Sequence, residues 1–413
     1  MVGHDGSEGL SPEGWLPDRV TVGVLTRVYP PELVDRVLAV TDTAEVRRRL
    51  LPSWLVVYFV LALWLFRGRN CGYVQVLARL TSGLHFQRRA AVLAAGGAGG
   101  AGWSLPASPS LGEARARIGS DPVRMLFEHA AGPVGVEGQA GVFLHGLRLV
   151  QIDGSTCDLP DTQANRAFFP GPSNAGGPAP FPKVRWVIAA EAATGALLGA
   201  SFGPWSTGEP ALARDLLGQL GPGMLTLADR NFLSHRLAGE VLATGAHLLW
   251  RAKATFTLAP VRVLDDGSYL AELTPPRGSE GPPLTMRVIE YTVHSTTAGG
   301  DESSSELFCL VTDLLDPEEW SMLDLARAYP TRWGCETVIG HHKTDLGEGR
   351  PVLRSKDPEG VTQEMWALFA VHQALARLIG VAADTTGTPP DRISFRRALT
   401  AASDSIGTAA FPP

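Results

Sequence analysis

The order of the predicted strands and helices between residues 147 and 253 is the feature that most constrains the fold. Segments with the two-residue alternation or the short apolar runs of β-strands are interleaved there with segments of helical periodicity. In chain order, the pattern predicts strands at 147–153, 184–191 and 197–202, a helix at 209–220, a strand at 224–229, a helix at 234–244 and a strand at 247–253. Strands interleaved with helices indicate an α/β protein.

This order, three strands followed by two helix–strand pairs, is that of a ribonuclease-H-like core. We therefore predict a ribonuclease-H-like mixed sheet with flanking helices, within an α/β domain at residues 141–383. A span rich in glycine, proline and serine interrupts this domain at about 254–306 and contains strand-like pieces at 261–273 and 284–293. We interpret it as a β-rich insertion, after which residues 307–312 return to the core as a strand. Residues 384–413 are predicted to form a weakly ordered tail.

An N-terminal all-α domain is predicted at residues 21–132, after a flexible N-terminus at 1–20. Its run 50–66 is uncharged for seventeen residues. A membrane span needs roughly 20 apolar residues, and Pro52 and Ser53, with arginines at both ends, favour a buried helix. Residues 94–102 are typical of a glycine-rich linker. The segment 110–130 predicts two short helices joined by a turn, which form either a DNA-reading helix-turn-helix or a packing hairpin.

Length and cysteine usage restrict the class of protein. A chain of 413 residues with 45% hydrophobic content supports two or three domains with buried cores. Its four cysteines include no CxxC pair, which indicates a reducing compartment and argues against a disulfide framework or a structural zinc site. The N-terminus lacks the charged-then-apolar pattern of a signal peptide, so we expect a cytoplasmic protein.

The net charge of −6 argues against nucleic-acid binding, but the charge is unevenly distributed. Between residues 20 and 90, ten arginines stand against four acids, a local surplus of six positive charges. Affinity for nucleic acid depends on such patches more than on the total charge. Charge alone leaves the question of DNA binding open.

The stretch YPTRWGCETVIGHHK at residues 329–343 predicts a helix that begins at Pro330 and stops before Gly347. At about 100° per residue, one narrow face of this helix carries a phenol, a guanidinium, an indole, a carboxylate and an ammonium group. These groups belong to Tyr329, Arg332, Trp333, Glu336 and Lys343. An ordinary amphipathic helix would show the same exposed ion pair at i,i+4, so the significance of the stretch depends on its full spacing.

That spacing, Y-x2-R-x3-E-x6-K, resembles the signature of the insertion sequence four family of DDE transposases, residue for residue. The resemblance covers about residues 22–398. It implies an enzyme that cuts DNA at the ends of a mobile element with water as the nucleophile. The freed 3′-hydroxyl then attacks the opposite strand in some relatives, which gives a hairpin, and finally attacks target DNA.

Three carboxylates are the candidate catalytic and metal-binding residues. Asp153 and Asp229 each end a predicted strand, and Glu336 lies on the helix described above. In a ribonuclease-H-like sheet those strands are neighbours and the helix packs across them, so the three side chains are expected to converge. Asp158 and Asp161 compete with Asp153. No hydrophobic strand leads into Asp158, however, and Asp161 is typical of a turn.

Three anions gathered at one place need a compensating cation. Mg²⁺, which prefers oxygen ligands, is the natural choice. Two such ions about 3.5–4 Å apart activate a nucleophile and stabilise the leaving oxygen in an in-line displacement at phosphorus. We expect Asp153 to bridge two Mg²⁺ ions, with Asp229 and Glu336 each holding one, and Mn²⁺ to be able to substitute.

The resemblance implies DNA contacts as well. Tyr329, Arg332 and Lys343 are expected to hold phosphates near the scissile bond. Trp333 either stacks on an unpaired base, which is worth about 1–3 kcal/mol, or packs half-buried. The adjacent histidines at 341 and 342 point about 100° apart on a helix and are expected at the surface or near DNA.

The expected partners are double-stranded DNA, as terminal inverted repeats and as target, and a second copy of the chain in a synaptic homodimer. No membrane partner is expected, and the protein would be associated with the nucleoid. Asn231 stands where glycine is common in the family, and asparagine also accepts tight turns. The short, weakly patterned tail raises the question whether the chain retains the segment that pairs protomers.

Three other functions remain open on the sequence alone. One is a Mg²⁺-dependent nuclease that cuts without strand transfer. Another is an inactive remnant that binds the repeats and represses. The third is a membrane-anchored protein, and it depends on the run 50–66.

Overall fold

The computed structural model describes residues 23–45, 51–66, 71–81, 105–174, 177–253, 256, 258–296, 302–347 and 352–407. The chain divides into two units, each assembled from segments that are distant in sequence. The first unit comprises Met1–Ala130, Thr362–Leu375 and Arg396–Pro413, and the second comprises Ala131–Val361 and Ala376–Phe395. Two C-terminal segments therefore belong to the same unit as the N-terminal helices.

The first unit is helical throughout its described part. Its N-terminal helices are α1 (Val24–Val28), α2 (Pro31–Val40), α3 (Ser53–Leu65), α4 (Tyr73–Leu80), α5 (Ser108–Ile118) and α6 (Asp121–Ala130). Twelve of the thirteen residues of α3 are buried. A helix that packs on all sides needs no polar face, which explains why this run is apolar throughout and agrees with the buried helix predicted at 50–66.

Helix α12 (Pro358–Thr386) supplies hydrogen-bond partners to the N-terminal helices of the first unit. The Tyr29 hydroxyl donates to the carbonyl of Ala370 at 2.8 Å, and Trp64 Nε1 donates to the carbonyl of Glu364 at 2.8 Å. This 29-residue helix is long and apolar enough to cross a membrane, yet 72% of its most apolar window is buried in the protein. Core helices of globular proteins share these properties.

A helix of 13 residues lies within the predicted tail. Helix α13 (Phe395–Gly407) buries Phe395, Ala398, Ala402 and Ile406, which recur at helical spacing. Two of these four are alanines, whose small side chains give a weak hydrophobic pattern. The sequence therefore showed no clear helical signal in this region.

The second unit is built on one ten-stranded mixed sheet. Its strands are β1 (Phe143–Leu144), β2 (Leu147–Asp158), β5 (Lys183–Glu191), β6 (Leu197–Pro204), β7 (Met224–Ala228), β8 (His247–Arg251), β9 (Arg262–Val263), β10 (Tyr269–Leu273), β11 (Leu284–Thr296) and β12 (Glu302–Thr312). The spatial order is β6-β5-β2-β7-β8-β12-β11-β10-β9, with β1 paired to β2. β5 and β6 run antiparallel to their neighbours, whereas β2, β7 and β8 are mutually parallel.

This arrangement confirms the predicted mixed α/β fold and the N-terminal helical region. The predicted insertion corresponds to β9, β10 and β11 together with the start of β12. It extends the central sheet, because β12 pairs with β8 through Leu310 opposite Arg251. The remaining elements are α7 (Gln163–Phe168), a small hairpin of β3 (Ser173–Asn174) and β4 (Gly177–Pro178), α8 (Glu209–Arg214), α9 (His235–Ala243), α10 (Met322–Ala328) and α11 (Trp333–Gly340).

Both faces of the central strands are covered. Successive side chains of a strand point to opposite faces. In β8, Leu248 and Trp250 accordingly lie in one apolar cluster with α8 and α9, and Leu249 lies in the other with α10. Strands buried on both faces explain the nearly continuous apolar runs in the sequence.

The helix predicted at 330–343 is divided into three parts. A 3₁₀ turn at Tyr329–Arg332 leads into α11, and a π-helical turn at His341–Asp345 follows. Pro330 has no backbone N–H, which suits a tight turn at the start of a helix. The 3₁₀ and π-helical turns change the angular positions of the side chains at both ends of the segment, whereas Arg332 and Glu336 stay paired as on one helix face.

Candidate active site

Asp153 and Asp229 lie at adjacent positions of two neighbouring parallel strands. The pairing of β2 with β7 ends where Ile152 lies opposite Ala228, and each aspartate is the next residue of its chain segment. β2 itself continues beyond the predicted end, because β5 stays paired with it as far as Asp158. The first two predicted carboxylates are therefore brought together by the register of the sheet.

Asp153 is a largely buried carboxylate. The backbone N–H of Gly154 donates to its Oδ1 at 2.7 Å, and Nη1 of Arg332 lies 3.2 Å from its Oδ2. Burial raises the pKa of Asp153 to about 6, although the contacts with Gly154 and Arg332 act in the opposite direction. The negative charges of Asp229 and Glu209 add to the increase.

The loop after β7 fixes the carboxylate of Asp229. The backbone N–H of Asn231 donates to Oδ1 at 2.8 Å, and its side-chain amide donates to Oδ2 at 3.3 Å. An aspartate side chain commonly stabilises a turn in this way, by accepting a hydrogen bond from the backbone N–H two residues later. A glycine at position 231 would keep the backbone hydrogen bond to Asp229 but would lack the side-chain amide that donates to Oδ2.

Arg332 joins the third predicted carboxylate to the first. Its Nη1 contacts Asp153, and its Nη2 lies 2.9 Å from Oε1 of Glu336. The Arg332 side chain is 11% exposed, whereas that of Glu336 is 57% exposed. A single buried guanidinium is therefore shared by two of the three carboxylates.

Close contact between α11 and β2 holds these groups in place. A Cβ atom at Gly334 would lie 2.9 Å from Nε2 of Gln151, so only glycine fits there without displacing that side chain. Gln151 in turn donates to the carbonyl of Thr331. Glycine at this point allows the helix that carries Glu336 to approach the strand that carries Asp153.

The structure gives the other predicted site residues different environments. Tyr329 is buried, and its hydroxyl donates to the carbonyl of Ala228 at 3.3 Å. The phenol thus holds the end of β7, and its contact with a phosphate stays a prediction. Trp333 is 51% exposed, and Lys343 is half-buried.

Both histidines of this stretch are expected at the surface or near DNA, and the surface position is wrong for His342. That residue is 1% exposed, and its ring lies edge-on to Trp186 with centroids 5.2 Å apart. His341 stacks on Phe395 at 4.1 Å. Residues 341–345 form a π-helical turn, which changes the direction of the side chains after residue 340.

Glu209, which no motif singled out, lies near the two aspartates. Burial raises the pKa of Glu209, the guanidinium of Arg185 opposes this, and the charge of Asp229 adds to it. An acidic residue at the first position of a helix is common, so no local signal separates Glu209 from the other acids of the chain.

Carboxylate oxygens are the donors that hard divalent ions prefer. The pKa of Asp153 is raised first by burial and then by the negative charges of Asp229 and Glu209, and a nearby cation would favour its charged form. In the described part of the chain, no three His, Cys, Asp or Glu side chains are arranged as a ready metal site. Arg332 lies between Asp153 and Glu336 instead. The donor chemistry thus fits a divalent metal, with an arginine between two of the donors.

Comparison with known proteins finds a family match for the N-terminal part of the chain and another for the part that follows it. The family described as insertion element 4 transposase N-terminal matches residues 19–128, and the transposase DDE domain matches residues 145–373. The transposase InsG for insertion sequence element IS4, from Escherichia coli K12, is 30% identical over 374 residues, which cover 88% of this chain and 78% of that protein. The putative transposase InsZ from the same organism is 29% identical over 232 residues, covering 56% of this chain and 71% of that protein.

Among solved structures, the piggyBac transposase synaptic complex with hairpin DNA matches with a TM-score of 0.44 at 11% identity, over 94% of this chain and 80% of that chain. The two family matches and the relationship to InsG confirm the resemblance found in the sequence. The chain belongs to the insertion sequence four family of DDE transposases, enzymes that cleave DNA and transfer its strands.

Proposed function

We propose that this transposase excises and inserts its own element by a cut-and-paste reaction at a two-metal site. Asp153, Asp229 and Glu336 would hold two Mg²⁺ ions, for which Mn²⁺ can substitute. When bound, these ions supply the positive charge that activates the attacking oxygen and stabilises the leaving oxygen at phosphorus. The substrates would be the inverted repeats at the ends of the element, followed by target DNA.

The observation that carries this proposal is the placement of Asp153 and Asp229 next to each other where the pairing of two parallel strands ends, with Glu336 joined to Asp153 through Arg332. Three carboxylates and one guanidinium leave a net negative charge. A buried carboxylate with insufficient compensation favours cation binding. The same arrangement requires Arg332 to release at least one carboxylate when a cation enters.

An arginine released in this way is well placed for a second role. Arg332 would then hold a phosphate oxygen near the scissile bond, since guanidinium groups bind phosphate through two parallel hydrogen bonds. Trp333 and Lys343 follow on the same segment and would contact the DNA next to it. Trp333 is half exposed, so its side chain is accessible to an unpaired base.

Excision requires two element ends, so we propose a homodimer in the synaptic complex, with one chain acting at each end. The protein would work in the cytoplasm, in association with the nucleoid.

The experiment uses DNA duplexes taken from the inverted repeats that flank the gene, some uncut and some already carrying a free 3′-hydroxyl. With Mg²⁺ and a target plasmid, the wild type is expected to cleave the first and join the second. Asp229→Asn is expected to lose both reactions. Asp161→Asn is the matched control, because that carboxylate is exposed and pairs only with Arg166 among its described partners.

Each alternative function gives a different result. Cleavage without joining of pre-cut ends would identify a nuclease. Binding of the repeats without Mg²⁺-dependent cleavage or joining in the wild type would identify an inactive repeat-binding remnant. Equal activity of Asp229→Asn and wild type would contradict the proposed site itself.

A further inference from the structure

A fourth carboxylate lies at the edge of the site. Glu209 is the first residue of α8, the helix that follows β6. α8 packs against β2 and β5, so its first turn reaches the part of β2 that extends beyond β7. This is the segment that begins with Asp153.

Gly154 provides the space in which Glu209 lies. A Cβ atom at Gly154 would be 3.1 Å from Cγ of Glu209 and 2.8 Å from the carbonyl oxygen of Trp186. A larger residue directly after Asp153 would therefore displace both the helix residue and the neighbouring strand. The absence of a side chain at this position brings the Glu209 chain against the backbone beside Asp153.

The charges of these carboxylates also act on one another. Burial is the main cause of the raised pKa of both Asp153 and Glu209; the negative charge of Glu209 adds to the first increase, and that of Asp229 adds to the second. Interactions of this kind fall off with distance. Glu209 thus lies within electrostatic reach of both aspartates.

Arg185 compensates Glu209 much as Arg332 compensates Asp153 and Glu336. Its guanidinium lies 4.0 Å from the ring centroid of Trp205 and donates to the carbonyl of Thr207 at 3.1 Å. Its buried Nε has no hydrogen-bond partner within the described residues. The ring and the carbonyl hold Arg185 beside Glu209, where its positive charge lowers the pKa of that acid.

We propose that Glu209 is a fourth carboxylate of the catalytic centre and binds the divalent cation together with Asp153 and Asp229. This inference rests on the proposed metal site and adds a residue to it. Glu209 enters from the face of the sheet opposite to α11, so it would hold the cation from the side away from Glu336. In the absence of the cation, Arg185 takes its place as the counter-charge of Glu209.

The test measures cation binding without DNA and without catalysis. Mn²⁺ is titrated into the full-length protein, and the rise in unfolding temperature and the loss of the free-ion signal in electron paramagnetic resonance are recorded. Glu209→Gln, which keeps the size of the side chain, is expected to raise the half-saturating Mn²⁺ concentration about tenfold or more, as loss of a metal-site partner does. Glu272→Gln, at an exposed position on β10, is the matched control and is expected to titrate like the wild type.

Asp153→Asn separates this inference from the proposed function. If Asp153→Asn loses saturable binding while Glu209→Gln titrates like the wild type, Glu209 is not a ligand and only the fourth carboxylate is refuted. If Asp153→Asn also titrates like the wild type, the cation does not bind at this centre, and the proposed metal site fails together with the inference.

Arg185→Gln provides a second test that does not depend on the folding of Glu209→Gln. Removal of the guanidinium leaves Glu209 without its counter-charge, so Mn²⁺ is expected to bind severalfold more tightly. An unchanged or weaker affinity in a folded Arg185→Gln protein would contradict the role given to Glu209.

Discussion

Asp153 illustrates how a proposed catalytic carboxylate is maintained at a cost to stability. Its hydrogen bond from Gly154 and its ion pair with Arg332 both favour the charged form, yet burial outweighs them and raises its pKa to about 6. The charged carboxylate thus opposes folding at neutral pH when no cation is bound. Side chains placed for function commonly have this effect.

Asp153→Asn is therefore expected to unfold at a higher temperature than the wild type at pH 7.5 in a chelating buffer. The folded-state pKa of about 6 lies above the ordinary value of 3.8. Between these values the folded protein binds more protons than the unfolded chain, so this group's contribution to stability falls as pH rises through that interval. The advantage of the variant should accordingly shrink towards pH 4, as measured by calorimetry at both pH values.

The control is Asp161→Asn. Its partner Arg166 lowers the pKa of Asp161, a shift opposite in direction to that of Asp153. The charged form of Asp161 therefore does not oppose folding, and Asp161→Asn is expected to gain no stability at neutral pH. An Asp153→Asn protein less stable than the wild type at pH 7.5 would show that the Arg332 ion pair outweighs burial.

A substitution at Tyr329 separates the phosphate contact predicted from the sequence from the hydrogen bond seen in the structure. Tyr329→Phe removes a hydroxyl that donates to the carbonyl of Ala228, so a loss of about 1 kcal/mol in the free energy of unfolding is expected. Its affinity for an inverted-repeat duplex should stay at the wild-type level, because the phenol is buried. Lys343→Gln should instead weaken binding and reduce the salt slope by about 1. A similar loss of affinity in Tyr329→Phe would support the predicted phosphate contact of the phenol.

At the scale of elements, the sequence predicted the strand order well because each core strand has a strong apolar pattern. The end of β2 was not predictable, since pairing beyond Asp153 depends on β5, a strand that begins only at Lys183. The approach of α8 to Gly154, which brings Glu209 to the site, likewise depends on tertiary packing. Local periodicity carries no information about contacts of this kind.

Two glycines of α11 test how the helix positions Glu336. Gly334→Ala places a methyl group against Gln151 and is expected to cost about 1–3 kcal/mol and to reduce DNA cleavage. Gly340→Ala is the matched control, because a Cβ atom there would meet nothing within 4 Å and the backbone at this residue is helical. It should stabilise the protein by about 0.4–1 kcal/mol, as measured by denaturant unfolding. Equal effects of the two substitutions would show that α11 does not depend on close contact with β2.

At the scale of the whole molecule, the family boundary and the structural boundary differ. The N-terminal family match ends at residue 128, and the sequence predicted a helical domain at 21–132. The first unit also includes Thr362–Leu375 and Arg396–Pro413. Within it, Gln363 accepts a hydrogen bond from Nε of Arg115 at 2.9 Å, and Gln373 donates to the carbonyl of Ala130 at 3.0 Å.

A fragment of residues 21–132 is therefore expected not to fold on its own. It would expose part of the apolar surface of α3 and would leave the donors of Tyr29, Trp64 and Arg115 without their partners on α12. The same fragment joined through a flexible linker to residues 358–378 should gain helical circular dichroism, dispersed amide signals and a cooperative thermal transition. Because the linked helix restores both the apolar contacts and the hydrogen bonds, its effect should disappear when Gln363, Gln373 and the residues around them are replaced by a polar helical sequence of equal length. A cooperative transition in the short fragment alone would show that the N-terminal helices form an independent domain. The segment from α12 would then add only to its stability.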